Sequence, residues 1–305
     1  MAKKAEDKHK RSGFARRNVT GLLFLIPSAV VCLIFVVYPL FTIFYYSMTD
    51  WDGIKDTKNF IGLYNFTHLN KIDGFGEMMI ATFTFAIGVT VLTILISFLA
   101  ALILDIKGRG RLPRSLMRTL WFFPSLLSGA IVGILWRIMY NYKNGVINLM
   151  LKAVGLQPVN WLETRGITNI AVIVGDTWVS VGLCVIVFMA GLQSIPQELF
   201  EAAKIDGATS FKQVRYITIP MMSSSITINA ITTTIAAFRA YELPYLISQG
   251  KPGRSTLMMT QRIYFYGFQA HDYGRGSAIA VMLTLIIVVI SLLQLVLLSR
   301  REDIY

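Results

Sequence analysis

"FEAAKIDGATSFKQVRYITIP", Phe200–Pro220, is a polar and charged stretch set between two strongly apolar runs. It is longer than a plain connector needs to be. Read with the residues just before it, it forms two short helices around a sharp turn. Pro196 suits a first helical turn. Glu198 and Glu201 follow where the helix dipole favours negative charge. Leu199, Ala202, Ala203 and Ile205 make a small apolar ridge. Asp206-Gly207 breaks the helix, because glycine takes positive φ readily. Ser210 is expected to cap a second short helix that ends at Pro220. A bent knuckle carrying small alanines can enter a partner's groove closely. The residues alone leave a second reading open, an interfacial helix lying on a membrane.

The surrounding sequence sets the context. Of 305 residues, 54% are hydrophobic and only 15% charged, where a soluble chain carries about 25% charged residues. Mean hydropathy is +0.58. The class is therefore an all-α polytopic membrane protein. Lipid-exposed backbone must satisfy its own hydrogen bonds, and these runs are too long for barrel strands. Six stretches approach or exceed the roughly 20 residues that a helix needs to cross a bilayer. They lie near 21–48, 78–106, 117–141, 168–194, 221–248 and 276–299.

Charge placement gives the orientation. With the N-terminus in the cytoplasm, the inner segments 1–20, 107–118, 195–220 and 300–305 carry 17 Lys and Arg, against 10 in the outer loops. Both termini are then cytoplasmic, and so is the knuckle. Residues 1–20 read as a cytoplasmic basic tail ahead of a retained helix, and 21–305 as one six-helix domain with its cytoplasmic loop at 195–220. The net charge of +12 is mostly a topology signal, which argues against a nucleic-acid partner. Cys32 and Cys184 both fall in apolar runs, and His9, His68 and His271 show no metal-ligand spacing.

"EAAKIDGA" at Glu201–Ala208, followed by "ITIP" at Ile217–Pro220, resembles the EAA signature of binding-protein-dependent ABC importer permeases. "AGLQSIPQELFEAA" (Ala190–Ala203) is similar to the carbohydrate-uptake branch, whose permeases include those for maltose, glycerol phosphate and multiple sugars. The likeness extends to "LFLIPSAVVCLIFVVYPL", "SMTDWDG", "GVINLMLKAVGL", "NWL", "DTWVSVG" and "YGRGSAIAVMLTLI". The resemblance implies a type I ABC importer permease-like core. It implies that Glu201, Ala202, Ala203, Asp206 and Gly207 form the coupling helix, seated in a cleft of a cytoplasmic ATPase. It implies as partners a second homologous permease, two ABC ATPase subunits and an extracellular solute-binding protein. The sequence contains no G-x-x-x-x-G-K-[ST] phosphate loop. No cofactor is therefore expected in this chain, with ATP and Mg held by the partner ATPase.

Polar groups inside a bilayer are candidates for function. Arg137, Asp176, Arg239 and Glu242 are ionisable residues within or at the ends of the spans. In "TINAITTTIAAFRAYELPYL", Asn229, Thr233, Ala237 and Tyr241 recur every four residues and share a helix face. Asp176, Ser180 and Cys184 repeat the spacing in the fourth span. Small hydroxylated groups ending in an aromatic ring suit a sugar. Asp176, Ser180, Thr233, Ala237, Tyr241 and Glu242 are therefore the expected substrate path. The alternative is that such hydroxyls only bond a neighbouring helix. Arg239 and Arg137 are candidates for an ion pair or gate: Arg239 is expected to pair with Glu242, three residues on, or Arg137 to meet Glu242 across helices. "FRAYELPYLISQGKPGRST" keeps Gly250, Pro252 and Thr256 of the family's outer loop but adds Arg239, which leaves a charged solute open. "GAIVG" at Gly129–Gly133 reads as a close packing site. The outer loop 49–77, with Trp51, Phe60, Tyr64 and Phe66, is either a receiver for the binding protein or a lip at the membrane surface.

The expected function is thus an ABC importer subunit for a carbohydrate, an oligosaccharide foremost, and not an enzyme. An autonomous channel or secondary transporter is the rival. It would work unaided, and secondary transporters often carry internal repeats. A membrane enzyme would need converging nucleophile, base or metal groups.

Overall fold

The computed structural model describes residues 23–54, 56–105 and 114–299. The basic tail 1–20, most of segment 107–118 and the closing residues 300–305 lie outside the described residues. Among the described residues the regular structure is helical, apart from an isolated bridge between Thr49 and Phe60.

Twelve of the helices among the described residues organise the chain. They are α1 (Leu23–Tyr46), α2 (Phe75–Asp105), α3 (Arg114–Phe122), α4 (Gly129–Met139), α5 (Val146–Ala153), α6 (Ile167–Gln193) and α7 (Gln197–Ile205), then α8, α9 (Ser223–Arg239), α10 (Glu242–Ser248), α11 (Met259–Tyr264) and α12 (Tyr273–Ser299). Helix α8 runs from Ser210–Gln213 through the π-helical turn Val214–Thr218 to Ile219–Met221. Four unbroken helices, α1, α2, α6 and α12, are long and apolar enough to cross a membrane, and they match expected spans to within about three residues.

Two expected spans are broken helices, each for a stated backbone reason. In the run 117–141, Pro124 removes an amide and Leu127 turns extended, with φ −81° and ψ 144°. Ser128 Oγ then accepts from the Ala130 amide at 3.3 Å and starts α4. The two halves meet at 97°. In the run 221–248, α9 stops at Arg239 and Ala240 is extended, with ψ 131°. A continuous helix would bond the Ala240 carbonyl to the amide of residue 244, which is a proline and has none. The Thr260 hydroxyl donates to that carbonyl instead, at 2.7 Å. Two π-helical turns lie just ahead of prolines. Leu33–Val37 precedes Pro39, and Val214–Thr218 precedes Pro220.

Helices α2 and α6 form the spine, with α9 against α2 and α12. Two apolar clusters divide its length. One joins Phe85 and Val89 of α2 to Val172 of α6, Phe238 of α9 and Ile279 of α12. The other joins Ala101 and Leu104 of α2 to Phe188 and Leu192 of α6, Ile195 and Met222. The second cluster lies under the knuckle. Phe200 of α7 and Ile217 of α8 pack onto it, so the polar stretch is anchored to the ends of α2, α6 and α9. Gly133 shows why "GAIVG" packs closely. A Cβ there would stand 2.8 Å from Leu246 Cβ and 3.1 Å from the Leu243 carbonyl of α10.

Candidate functional site

The knuckle is built by local hydrogen bonding. Helix α7 begins after Pro196, whose ψ of 131° places it just outside the helix rather than in its first turn. It ends at Asp206. The Gly207 amide donates to Lys204 O (3.1 Å) and the Ala208 amide donates to Ala203 O (2.8 Å). With Gly207 at φ +74°, this is a Schellman closure, which satisfies orphan carbonyls at the helix end. Thr209, rather than Ser210, caps α8, since its hydroxyl accepts from the Lys212 amide at 3.4 Å. The helix also continues past Pro220 to Met221.

Glu201, Ala202, Asp206 and Gly207 are exposed, and Ala203 is half-buried. Gln197 Nε2 donates to Glu201 Oε1 at 3.0 Å, which steadies the carboxylate one turn along. Ile205 and Phe211 stand out at 87% and 75% exposure. The tip thus presents apolar side chains, small alanines and acidic groups on one bent surface.

The second group of candidates lies between α6 and α9. The two polar faces meet at Cys184. Thr233 Oγ1 lies 3.3 Å from its sulfur, and Asn229 Nδ2 donates to its carbonyl at 3.2 Å. Thr233 and Ala237 are buried inside this chain's own bundle. Asp176 and Ser180 are half-buried further along α6, and the Ser180 hydroxyl donates to Asp176 Oδ1 at 3.3 Å. Tyr241 and Glu242 stand at the break between α9 and α10, Tyr241 half-exposed and Glu242 exposed. The structure thus joins Thr233 to the Cys184 end of the α6 face and leaves Tyr241 and Glu242 apart at the break. Among the described residues Arg137, Arg239 and Glu242 make no ion pair. Arg239 borders a groove of about 470 Å³ lined also by Ile235, Thr260, Ile263, Ala280 and Thr284.

Two features were not singled out in the sequence. Tyr241 stacks on Tyr245, with ring centres 5.7 Å apart and planes 9° apart, and it meets Tyr264 at 5.1 Å. The aromatic density of "YFYGF" at 264–268 is the signal that marks this spot. A cleft of about 240 Å³ in the angle of the bent span is lined by Trp121, Trp136 and Trp178. These tryptophans are far apart in sequence and carry no shared motif.

Outside the spans, Arg254 forms a two-pronged ion pair with Asp73. The Arg254 hydrogen bonds hold the Asp73 carboxyl below the usual carboxylate range. Arg262 adds a hydrogen bond to Asp73 O at 2.7 Å. The loop before α2 is thereby tied to the loop between α10 and α11.

Residues 94–303 match the family described as "Binding-protein-dependent transport system inner membrane component". The chain is 32% identical over 290 residues to the trehalose/maltose transport system permease protein MalF of Thermococcus litoralis, covering 94% of this chain and 96% of that one. It is 32% identical over 288 residues to the multiple sugar-binding transport system permease protein MsmF of Streptococcus mutans, covering 92% and 96%. Its fold matches a chain of a bacterial ABC transporter involved in importing the acidic polysaccharide alginate, with TM-score 0.78 at 23% identity over 93% and 96% of the two chains.

Proposed function

Because the chain belongs to the binding-protein-dependent transport system inner membrane component family, we propose that it is the permease subunit of an ATP-driven importer for a carbohydrate, an oligosaccharide foremost. The protein is a transport subunit rather than an enzyme, a multi-pass component of the bacterial-type cytoplasmic membrane. The sugar assignment rests on what its relatives are named for. In this reading six spans cross the bilayer with both ends cytoplasmic, the broken runs 117–141 and 221–248 each counting as one. Residues 1–20 are the tail and 21–305 the permease domain. The partners are a second homologous permease, two ATPase subunits that hold ATP and Mg, and an extracellular binding protein.

The observation that carries the coupling role is the exposed knuckle with its glycine at φ +74°. Glu201, Ala202, Ala203, Asp206 and Gly207 dock in the ATPase. Closure of the ATPase pair pushes the knuckle. Phe200 and Ile217 pass that motion through the inner apolar cluster to α2, α6 and α9. A ligand shifts the inward–outward equilibrium only by its differential affinity for the two states. Tyr241, Glu242, Asp176 and Ser180 line the path, and Thr233 and Ala237 back it from within the bundle.

A second reading keeps the transporter and changes the cargo. Arg239 is exposed beside a groove, and its charge favours a saccharide bearing a carboxylate over a neutral one.

The test is Gly207→Asp in the assembled complex. The substitution puts a side chain at positive φ and a charge at the tip. Stimulation of ATP hydrolysis by loaded binding protein should be lost while the complex still assembles. Normal stimulated hydrolysis would remove the coupling role.

A further inference from the structure

We propose that a file of aromatic rings, on the side of the molecule where α1 ends, is a stacking track for a saccharide chain. The proposal rests on the carbohydrate reading above and names the surface that would conduct the sugar to the helix break. Trp51 lies 5.2 Å from Tyr273, ring centre to ring centre, and Tyr273 lies 6.4 Å from Phe268. Phe268 follows Tyr264 at 5.3 Å, Tyr264 meets Tyr241 at 5.1 Å, and Tyr241 stacks on Tyr245 at 5.7 Å. These rings come from distant segments: the loop after α1, the start of α12, α11 with its π-helical extension, and the α9–α10 break. Only the fold brings them into one file. None of the six is buried, and Phe268 and Tyr264 are 64% and 40% exposed.

The chemistry matches a sugar. A pyranose carries C–H groups on its faces and hydroxyls around its rim. An aromatic face carries the negative lobe of the ring quadrupole, which attracts those C–H groups. Stacking of this kind tolerates differences between successive units, as it does for bases on aromatic platforms. Lys58 and Tyr46 already lie on Trp51 and Tyr241 faces Tyr245, so the exposed Phe268 and Tyr264 offer a chain its most open positions. Groups for the hydroxyl rim stand beside the Tyr241 end, where Arg239, Thr260 and Thr284 line a groove.

The direction of the file also matters. One end of it, Tyr241 and Tyr245, sits where α9 breaks. Helix α9 has 17 residues and is separated from α8 by Met222 alone, so the break stands about 25 Å from the knuckle end. In a bilayer core about 30 Å thick the break is thus near the outer face, and the file ends beside the path residue Glu242. An aromatic belt is a different arrangement, in which tyrosines and tryptophans anchor at the head-group level against lipid. A belt needs no ring-to-ring contact, whereas each ring of this file touches the next.

The test is uptake of maltose, maltotriose and maltoheptaose by the complete transporter in proteoliposomes. Tyr264→Leu and Phe268→Leu are compared with Tyr264→Trp, which keeps a ring. Tyr38→Leu, 69% exposed on α1 and outside the file, is the control. Uptake by the leucine variants should fall increasingly with chain length, to about tenfold for the longest sugar, the scale of one lost stack. Tyr264→Trp should restore it, and Tyr38→Leu should leave it unchanged. If Tyr264→Leu fails to assemble, Phe268→Leu at the most exposed ring carries the same comparison. A loss equal at every length, no loss, or an equal loss in Tyr38→Leu overturns the track while leaving the carbohydrate reading intact. A wild-type transporter that takes up a different solute and no saccharide overturns both.

Discussion

Asn148 shows how one amide can hold a loop. It is fully buried. Its Nδ2 donates to the Val159 and Tyr142 carbonyls (2.9 and 3.1 Å), while its Oδ1 accepts from the Val159 amide and the Trp161 indole (3.0 Å each). Asn148→Ala would remove hydrogen bonds to the half-buried Val159 and Trp161 and to the exposed Tyr142, each worth about 1 kcal/mol. The expected result is a thermal midpoint lower by several degrees and loosened packing around Trp161, read by its fluorescence. Asp73 makes a second prediction at this scale. Arg254 lowers its folded-state pKa. The contribution of the pair is therefore fully present above the ordinary carboxylate range and is lost only as pH falls through the lower folded value. A spin label at Lys251→Cys should keep the same mobility from pH 8 to about 5 and become more mobile in stronger acid. Asp73→Asn should show the mobile spectrum at every pH. An unchanged spectrum in Asp73→Asn would mean that the ion pair does not hold the loop.

At the scale of elements, the broken helices carry the architecture. Pro124 with Ser128 bends the third apolar run through 97°. Pro244, two residues into α10, leaves the Ala240 carbonyl to a threonine hydroxyl from α11. The bends lay α4 against α10, and Gly133 sets how closely they approach. Gly133→Val would place its Cβ 2.8 Å from Leu246 Cβ, and relieving such overpacking costs about 1–3 kcal/mol. The measurable outcome is a lower thermal midpoint of the purified subunit. Gly155→Val, also at a glycine but with nothing near its Cβ, controls for glycine removal. It strains its own backbone at φ +79° without moving a neighbour, so it should not alter an α4–α10 distance measured by paired labels, whereas Gly133→Val should lengthen it.

For the whole molecule the decisive quantity is the side of the membrane on which the knuckle lies. Ile205 is 87% exposed at its tip. In a cysteine-free background, Ile205→Cys should react with an impermeant maleimide only in inside-out vesicles, and Lys58→Cys only in intact cells. Labelling of Ile205→Cys from outside would reverse the orientation and end the coupling role. A second outcome follows from the absence of a phosphate loop in the sequence: the purified subunit alone should neither hydrolyse ATP nor conduct sugar. Conduction without partners would favour a channel.

The apolar runs settled the class by themselves, because a bilayer admits only backbone that bonds to itself. They also located α1, α2, α6 and α12 to within about three residues. The knuckle was legible for a local reason. Glycine after a capped helix dictates a turn whatever surrounds it, and Gly207 takes that turn at φ +74°. Runs 117–141 and 221–248 were hydrophobic enough to read as whole spans, since hydropathy does not register where a proline's missing amide will leave a carbonyl unbonded. Which faces are used was likewise out of reach. Thr233 and Ala237 share a helix face with Tyr241 by periodicity, yet α6 covers the first part of that face and the break frees the last. Contacts such as Trp51 with Tyr273, or Asp73 with Arg254, join residues some 180 or more positions apart. Only the packing of helices decides them, because no local preference in the chain encodes so distant a neighbour.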